Sequence, residues 1–320
     1  MTRRSFLAAV LAGCALPAWA NELKMLEVDC PERAFEETRK SLASMKSTDA
    51  LDDNQFILQS RAWLGGPELD RSGPEWRMAN GVPLRIFGSG SQGVVMHVHG
   101  GGWICGNAQS DRGLCQALAD RAGVTVASVD YRLAPEFPYP IPVEDCLQAA
   151  AWLVNHGQEQ FGTDRLAIMG CSAGAHLAAL TMLKLGRRLQ AAALYYGAFD
   201  LGLTPFARMA RDQDHPDLTS QALSRMIGLF TPGLRREQRQ VAAISPLYAP
   251  IPELPDTLFL VGGGDILVDD SLQLSRRWAE RNQVELALYP GAPHGFNGYQ
   301  LAGVEDSLDR VVEFFSSRWS

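Results

Sequence analysis

Leu166-Ala167-Ile168-Met169-Gly170-Cys171-Ser172-Ala173-Gly174-Ala175-His176-Leu177 is an apolar run that meets a Gly-x-Ser-x-Gly box and continues into an alanine-rich helical pattern. This order predicts a strand, a sharp turn at Ser172 and a helix. A serine held on a strained turn leaves little room for side chains two residues before or after it, and glycine stands at both places. A helix starting just after Ser172 points its free N–H groups and the positive end of its dipole at the serine. The box is short and the chain has 30 glycines, so its weight comes from the flanking strand and helix. Such a turn requires backbone donors upstream, then an acid and a histidine downstream.

Upstream, His99-Gly100-Gly101-Gly102-Trp103 directly follows the β-rich run 94–98. Consecutive glycines let backbone N–H groups approach a substrate oxygen unobstructed. The donors expected for an oxyanion are the N–H groups of Gly101, Gly102 and Ala173. Downstream, Asp265, Asp269 and Asp270 are the candidate acids. Asp265 follows an apolar strand and Gly262-Gly263-Gly264, which puts it at the carboxyl end of the sheet, level with the serine. Asp269 and Asp270 fall where the next helix begins, a capping position. Asp265 is therefore the expected acid. His294 lies in Pro290-Gly291-Ala292-Pro293-His294-Gly295-Phe296, a loop after the last strand, where a base belongs. The order Ser172, Asp265, His294 is that of the α/β-hydrolases. His97 and His99 precede the serine, and His99 is expected to orient the glycine loop. His176 reads as helix surface or packing, and His156 and His215 as ordinary polar positions.

Around these motifs strands alternate with helices, which predicts an α/β fold with a mostly parallel central sheet flanked by helices. Asn80-Gly81 between two extended runs predicts a hairpin before the alternation begins. Residues 22–70 read as helices without a dominant strand, with amphipathic runs at 31–45 and 53–64. The segment 201–254 is too long for an ordinary connection and reads as an insertion over the carboxyl edge of the sheet. The expected organisation is a signal segment at 1–20, an N-terminal helical cap segment at 21–70, and a hydrolase domain at 71–320 carrying the cap insertion at 201–254. Trp103 is expected in the wall of a substrate pocket. For Phe206 and Phe230 the pocket wall and ordinary core packing are equal readings.

Taken together, the His99–Trp103 loop, Asp130-Tyr131-Arg132-Leu133-Ala134-Pro135-Glu136, Gly170-Cys171-Ser172-Ala173-Gly174, the Asp265 region and His294-Gly295-Phe296 resemble the hormone-sensitive-lipase-like family of α/β-hydrolases. The resemblance runs from about residue 94 to the C-terminus. It implies a carboxylesterase acting on short to medium acyl esters through a Ser-Asp-His triad, with no metal and no organic cofactor. It also implies that residues 130–136 are scaffold behind the oxyanion loop. Two positions depart from the family pattern: Cys171 stands where Asp is usual, and Ala175 where a second Gly is usual. Neither touches the triad. An arylformamidase or other amidase shares the same constellation, and a non-catalytic ligand-binding homologue would lack a triad member.

The chain has 320 residues and a net charge of −7, which suits one large α/β domain and argues against a nucleic-acid groove. A small-molecule ester is the expected partner. Thr2-Arg3-Arg4-Ser5-Phe6-Leu7, a short apolar run and Ala18-Trp19-Ala20 form a twin-arginine-like export signal with cleavage before Asn21. The expected destination is the periplasm or outside the cell. Leu11-Ala12-Gly13-Cys14 offers the alternative of a lipidated Cys14, the one route to a membrane. Of the six cysteines, none forms a Cys-x-x-Cys or His/Cys metal pattern. A Cys105–Cys115 pair stays open at this level, as do acyl length and oligomeric state.

Overall fold

The computed structural model describes residues 23–28, 35–43, 51–64, 69–215, 217–299 and 302–319. The export segment at 1–20, Cys14 included, lies outside the described residues. In chain order the first elements are β1 (Lys24–Leu26), α1 (Glu36–Ala43), α2 (Asp53–Leu64), β2 (Trp76–Ala79), β3 (Val82–Phe87), β4 (Val94–Val98), α3 (Arg112–Ala122), β5 (Thr125–Val129) and α4 (Ile141–Phe161). There follow β6 (Leu166–Cys171), α5 (Ala173–Leu185), β7 (Ala191–Tyr195), α6 (Pro205–Met209), α7 (Ser220–Phe230), α8 (Arg236–Arg239), β8 (Asp256–Gly262), α9 (Val268–Ala279), β9 (Val284–Tyr289) and α10 (Ala302–Trp319).

The strands form one sheet in the order β1-β9-β8-β7-β6-β4-β5-β3-β2. Strands β4 to β7 are buried along their whole length, as parallel strands covered on both faces by helices must be. The two antiparallel contacts, β2–β3 and β3–β5, sit at one end. There Asn80 and Gly81 both have positive φ, 51° and 90°, the backbone of a type I′ hairpin turn, which Asn-Gly tolerates best.

The stretch 22–70, read as helices without a dominant strand, opens with the short strand β1. Lys24, Met25 and Leu26 pair in parallel with Glu285, Leu286 and Ala287. A run of three residues is too short to carry a period. It pairs because β9 would otherwise present an open sheet edge, and Lys24 Nζ adds a 3.2 Å ion pair to Glu285. The two helices α1 and α2 fall inside the amphipathic runs read from the sequence.

Among the described residues of 201–254 there is no strand. Its longest helix, α7, begins with the Thr219 hydroxyl accepting the Ala222 N–H at 3.0 Å, a side-chain cap worth about 1 kcal/mol. Leu223, Ile227 and Phe230 then recur on one buried face, so the helix packs inward by its apolar stripe. Its N-terminal half is also tied to α2: Arg225 Nε lies 2.6 Å from Asp53, and its guanidinium stacks over Phe56. Among the described residues no helix is long and apolar enough to cross a membrane.

Candidate active site

Ser172 sits between β6 and α5 with φ 54° and ψ −120°, a conformation that costs a non-glycine residue of order 1–3 kcal/mol. Both glycines of the box are there because backbones meet. A Cβ on Gly170 would stand 2.5 Å from the Gly174 carbonyl oxygen, and one on Gly174 would stand 2.0 Å from that of Val98. The turn is held in place by the Ser172 N–H donating to the Tyr195 carbonyl at 2.9 Å.

The structure brings Ser172, His294 and Asp265 into one line. His294 Nε2 is 2.8 Å from Ser172 Oγ. Its Nδ1 is 2.9 Å from Asp265 Oδ2 and 3.1 Å from Oδ1. A buried carboxylate can only accept, so Nδ1 carries the proton and Nε2 is left to accept from the serine hydroxyl. Asp265 is fully buried, and its Oδ1 also accepts the Leu267 N–H at 2.8 Å. Burial by itself would push the imidazole of His294 down. The Asp265 charge and hydrogen bond, helped by Asp217, outweigh that and hold it above its ordinary value.

The other two acids lie elsewhere, for a definite reason. Helix α9 starts at Val268, so Asp269 and Asp270 both fall in its first turn. Asp270 is buried and accepts the N–H groups of Phe199 and Asp200 at 2.7 and 2.8 Å. It bolts the loop after β7 to the helix and does not face the histidine.

Asp217 is a residue that sequence reasoning did not single out. It lies in the insertion, and its carboxylate accepts the backbone N–H of His294. Burial, then the nearby Asp265 charge, lift its carboxyl to about 6. Two residues earlier, His215 Nδ1 lies 2.9 Å from the Gly264 carbonyl oxygen. One stretch of the insertion thus grips the loop that carries the acid and the loop that carries the base. No local pattern announces this; it follows from where the insertion packs. Tyr196 is also close, its ring 4.9 Å from that of His294, with its hydroxyl bonded to Asn297.

The glycine loop lies beside the serine: a Cβ on Gly100 would be 3.5 Å from Ser172 Cβ. Gly101 and Gly102 have φ of 114° and 57°. The Gly101 carbonyl is occupied by the N–H groups of Ile104 and Cys105, each at 3.1 Å, which fixes the plane of the loop. Ala173 is the first residue of α5, and the first N–H groups of a helix have no acceptor within it. As expected, the Asp130–Glu136 stretch braces this loop from behind. Tyr131 Oη donates to the His99 carbonyl at 2.9 Å and stacks on the His99 ring at 4.2 Å, while the Ala134 N–H donates to the Trp103 carbonyl.

Trp103, expected in a pocket wall, is packed into the core. Its side chain is 1% exposed, stacked on Phe230 at 4.8 Å, and its Nε1 donates to His176 Nδ1 at 3.1 Å. His176 Nε2 passes the chain on to the Ile244 carbonyl at 2.7 Å. Burial pushes the His176 imidazole down to about 4, so it stays neutral and relays both bonds. An indole with a polar partner inside is better satisfied there than in an apolar pocket. Trp103, His176 and Phe230 thus fasten the glycine loop to the insertion, and of the two equal readings Phe230 takes core packing. The residue over the loop is Met226 of α7: a Cβ on Gly102 would stand 2.3 Å from its Sδ. Cys105 and Cys115 are both buried free thiols.

Comparison with known proteins bears on the fold and the family. The profile of a family described by the alpha/beta hydrolase fold matches residues 95–298. A carboxylic ester hydrolase of Mycobacterium tuberculosis, LipN, is 31% identical over 250 residues, 70% of this chain and 64% of the relative, so the match spans just under two thirds of that protein's length. The esterase LipI of the same organism is 33% identical over 219 residues, 66% of this chain and 67% of the relative. Among solved structures, a hormone-sensitive lipase from a metagenome library superposes with a TM-score of 0.77 at 28% identity, covering 92% of this chain and all of that one.

Proposed function

The chain belongs to the alpha/beta hydrolase family, and from that premise we propose that it is a serine hydrolase of carboxylic esters with Ser172, His294 and Asp265 as its triad. The observation that carries this reading is the unbroken relay from Ser172 Oγ through His294 to Asp265, with both hydrogen-bonded steps under 3 Å. In the first half-reaction His294 Nε2 takes the proton from Ser172 Oγ as that oxygen attacks the ester carbonyl carbon. Asp265 keeps Nδ1 protonated and stabilises the imidazolium. The N–H groups of Gly101, Gly102 and Ala173 receive the oxyanion, and His294 returns the proton to the departing alkoxide. Water then repeats the sequence on the acyl-enzyme, with His294 as base again, and releases the acid. A non-catalytic homologue has no use for an intact relay.

The substrate class follows from what lies over the loop. Met226 above Gly102 and the insertion around it favour short to medium acyl chains, because an apolar wall limits how many methylenes enter. An apolar pocket discriminates by only about 1–3 kcal/mol per methylene, so the decline with chain length is graded at first and steep once the wall is reached. The test is a series of p-nitrophenyl esters of rising acyl length, run beside aryl formamides. Best kcat/KM on short acyl esters supports the reading. Preference for the formamides would assign an amidase to the same residues, and preference for long chains would remove the wall. We further propose that residues 1–20 direct export through the twin-arginine route, with cleavage before Asn21 and a lipidated Cys14 as the alternative.

A further inference from the structure

One residue before Ser172, three side chains that the proposed reaction leaves idle converge. His97 of β4, Asp111 before the first turn of α3 and Cys171 at the end of β6 bring Nε2, a carboxylate oxygen and Sγ all within 4.8 Å of one another. His97 is fully buried. Its Nδ1 is held by Ser128 Oγ at 3.0 Å. Its Nε2 stands 3.2 Å from Asp111 Oδ2, yet both atoms are buried without an aligned hydrogen bond. Asp111 precedes α3 but its side chain does not cap the helix. Buried polar atoms in native proteins are almost always well satisfied, so this loosely aligned pair, with the Cys171 thiol beside it, points to an ion that all three donors share.

We propose that His97, Asp111 and Cys171 form a binding site for a divalent, borderline-soft cation, with zinc the ion their donors fit best. An imidazole nitrogen, a carboxylate oxygen and a thiolate are the donor types zinc takes, at about 2.0–2.3 Å in a tetrahedral array. That array sets donor atoms roughly 3.3–3.8 Å apart, so the trio has to close by about an ångström. Water from the Asp111 side fills the fourth position; the Asp111 side chain is 29% exposed and offers the way in. With Nδ1–H donating to Ser128 Oγ, Nε2 is left free to ligate. Charge also balances: one carboxylate and one thiolate match the two charges of the ion, so no net charge is buried. Without the ion Cys171 stays protonated, since burial and the Asp111 charge push its thiol well above the ordinary range. Binding therefore forms the metal–sulfur bond and releases the thiol proton to solvent. Asn297 Nδ2, 3.7 Å from Sγ, is placed to donate to the resulting thiolate. The ligands come from three separate elements, so the ion would staple the strand that carries Ser172 to β4 and α3.

The test uses untagged full-length protein, stripped with EDTA and titrated with Co²⁺ and then Zn²⁺. One equivalent of Co²⁺ should produce thiolate-to-metal charge-transfer absorption in the near ultraviolet, and Zn²⁺ should displace it. Zn²⁺ at a hundredfold excess over Kd should raise the unfolding midpoint by about 4 °C. Cys171→Ala should lose both signals, and His156→Ala, a half-buried change on α4 away from the trio, should keep both. If Cys171→Ala does not fold, Asp111→Asn carries the test, with Co²⁺ affinity lowered about tenfold or more. The proposal is overturned if wild type shows no charge-transfer band at equimolar Co²⁺. It is equally overturned if Cys171→Ala keeps the band or the full zinc shift, or if Asp111→Asn binds as tightly as wild type. None of these readouts depends on esterase activity.

Discussion

Replacing Asp217 by Asn should make the protein more stable at alkaline pH while changing how its activity responds to acid. The Asp217 carboxyl is lifted from 3.8 to about 6, first by burial and then by the Asp265 charge. Because the folded-state value lies above the unfolded one, the native state binds the extra proton between about pH 4 and 6. The contribution of Asp217 to stability is therefore complete below pH 4 and is lost as the pH rises through about 6. At pH 8 the ionised group costs about 3 kcal/mol relative to its protonated form, at 1.4 kcal/mol per pH unit. Partial exposure screens some of this, so Asp217→Asn should recover about 1–2 kcal/mol, or about 2–3 °C for a chain of this length. The amide oxygen still accepts the His294 N–H, so the base stays in place. Removing one of the charges that hold the His294 imidazole up should move the acid limb of kcat/KM to lower pH. Urea unfolding at pH 4.5 and pH 8, with a kcat/KM profile across that range, reads both effects. A variant no more stable than wild type at pH 8, or one whose acid limb does not move, would refute the electrostatic coupling of Asp217 to the site.

Ser172→Ala should lower kcat by about 10⁴ or more, since triad members act as a unit; a serine-directed phosphonate should add mass to wild type and not to this variant, and labelling elsewhere would displace Ser172 as nucleophile. Asp265→Asn should cut turnover by about 10⁴ with the fold intact, because an amide favours the wrong histidine tautomer, as circular dichroism and steady-state kinetics would show. Asp270→Ala should act on the fold instead, costing about 1–3 kcal/mol for each amide it leaves unpaired at Phe199 and Asp200; urea unfolding measures this, and equal catalytic losses at the two aspartates would leave the acid unassigned. Met226→Ala should raise kcat/KM for longer acyl esters relative to short ones, and an unchanged chain-length profile would show that Met226 is not the wall. Changing Arg3 and Arg4 to Lys should leave the precursor in the cytoplasm, and intact-mass analysis of exported wild type should find Asn21, or a lipidated Cys14, as the first residue.

The arrangement of the candidate site was legible in the chain because it depends on short-range rules. Gly170 and Gly174 flank Ser172 because backbone atoms pass within van der Waals contact there, and only glycine permits that at any place in any fold. The expected order of serine, acid and histidine is that of the α/β-hydrolases, and an alternating parallel sheet opens the strand ends that carry them on one edge. Asn80-Gly81 names its own turn. Asp265 could be preferred to Asp269 and Asp270 because it precedes the helix that the other two begin. What depends on contacts between distant segments left no such trace. Strand β1 has three residues and pairs only because β9 would otherwise be an open edge. Trp103 reads as pocket wall from its place beside the glycine loop, and it is the contact with His176, and through it Ile244, that draws its indole into the core. Asp217 and Met226 belong to an insertion whose helical pattern at 220–230 shows an apolar face but not what it packs on, and they reach His294 and Gly102 because that stripe of α7 must be buried. A local pattern can report the conformation its own residues require. Which foreign surface those residues then meet is decided by the packing of the whole chain.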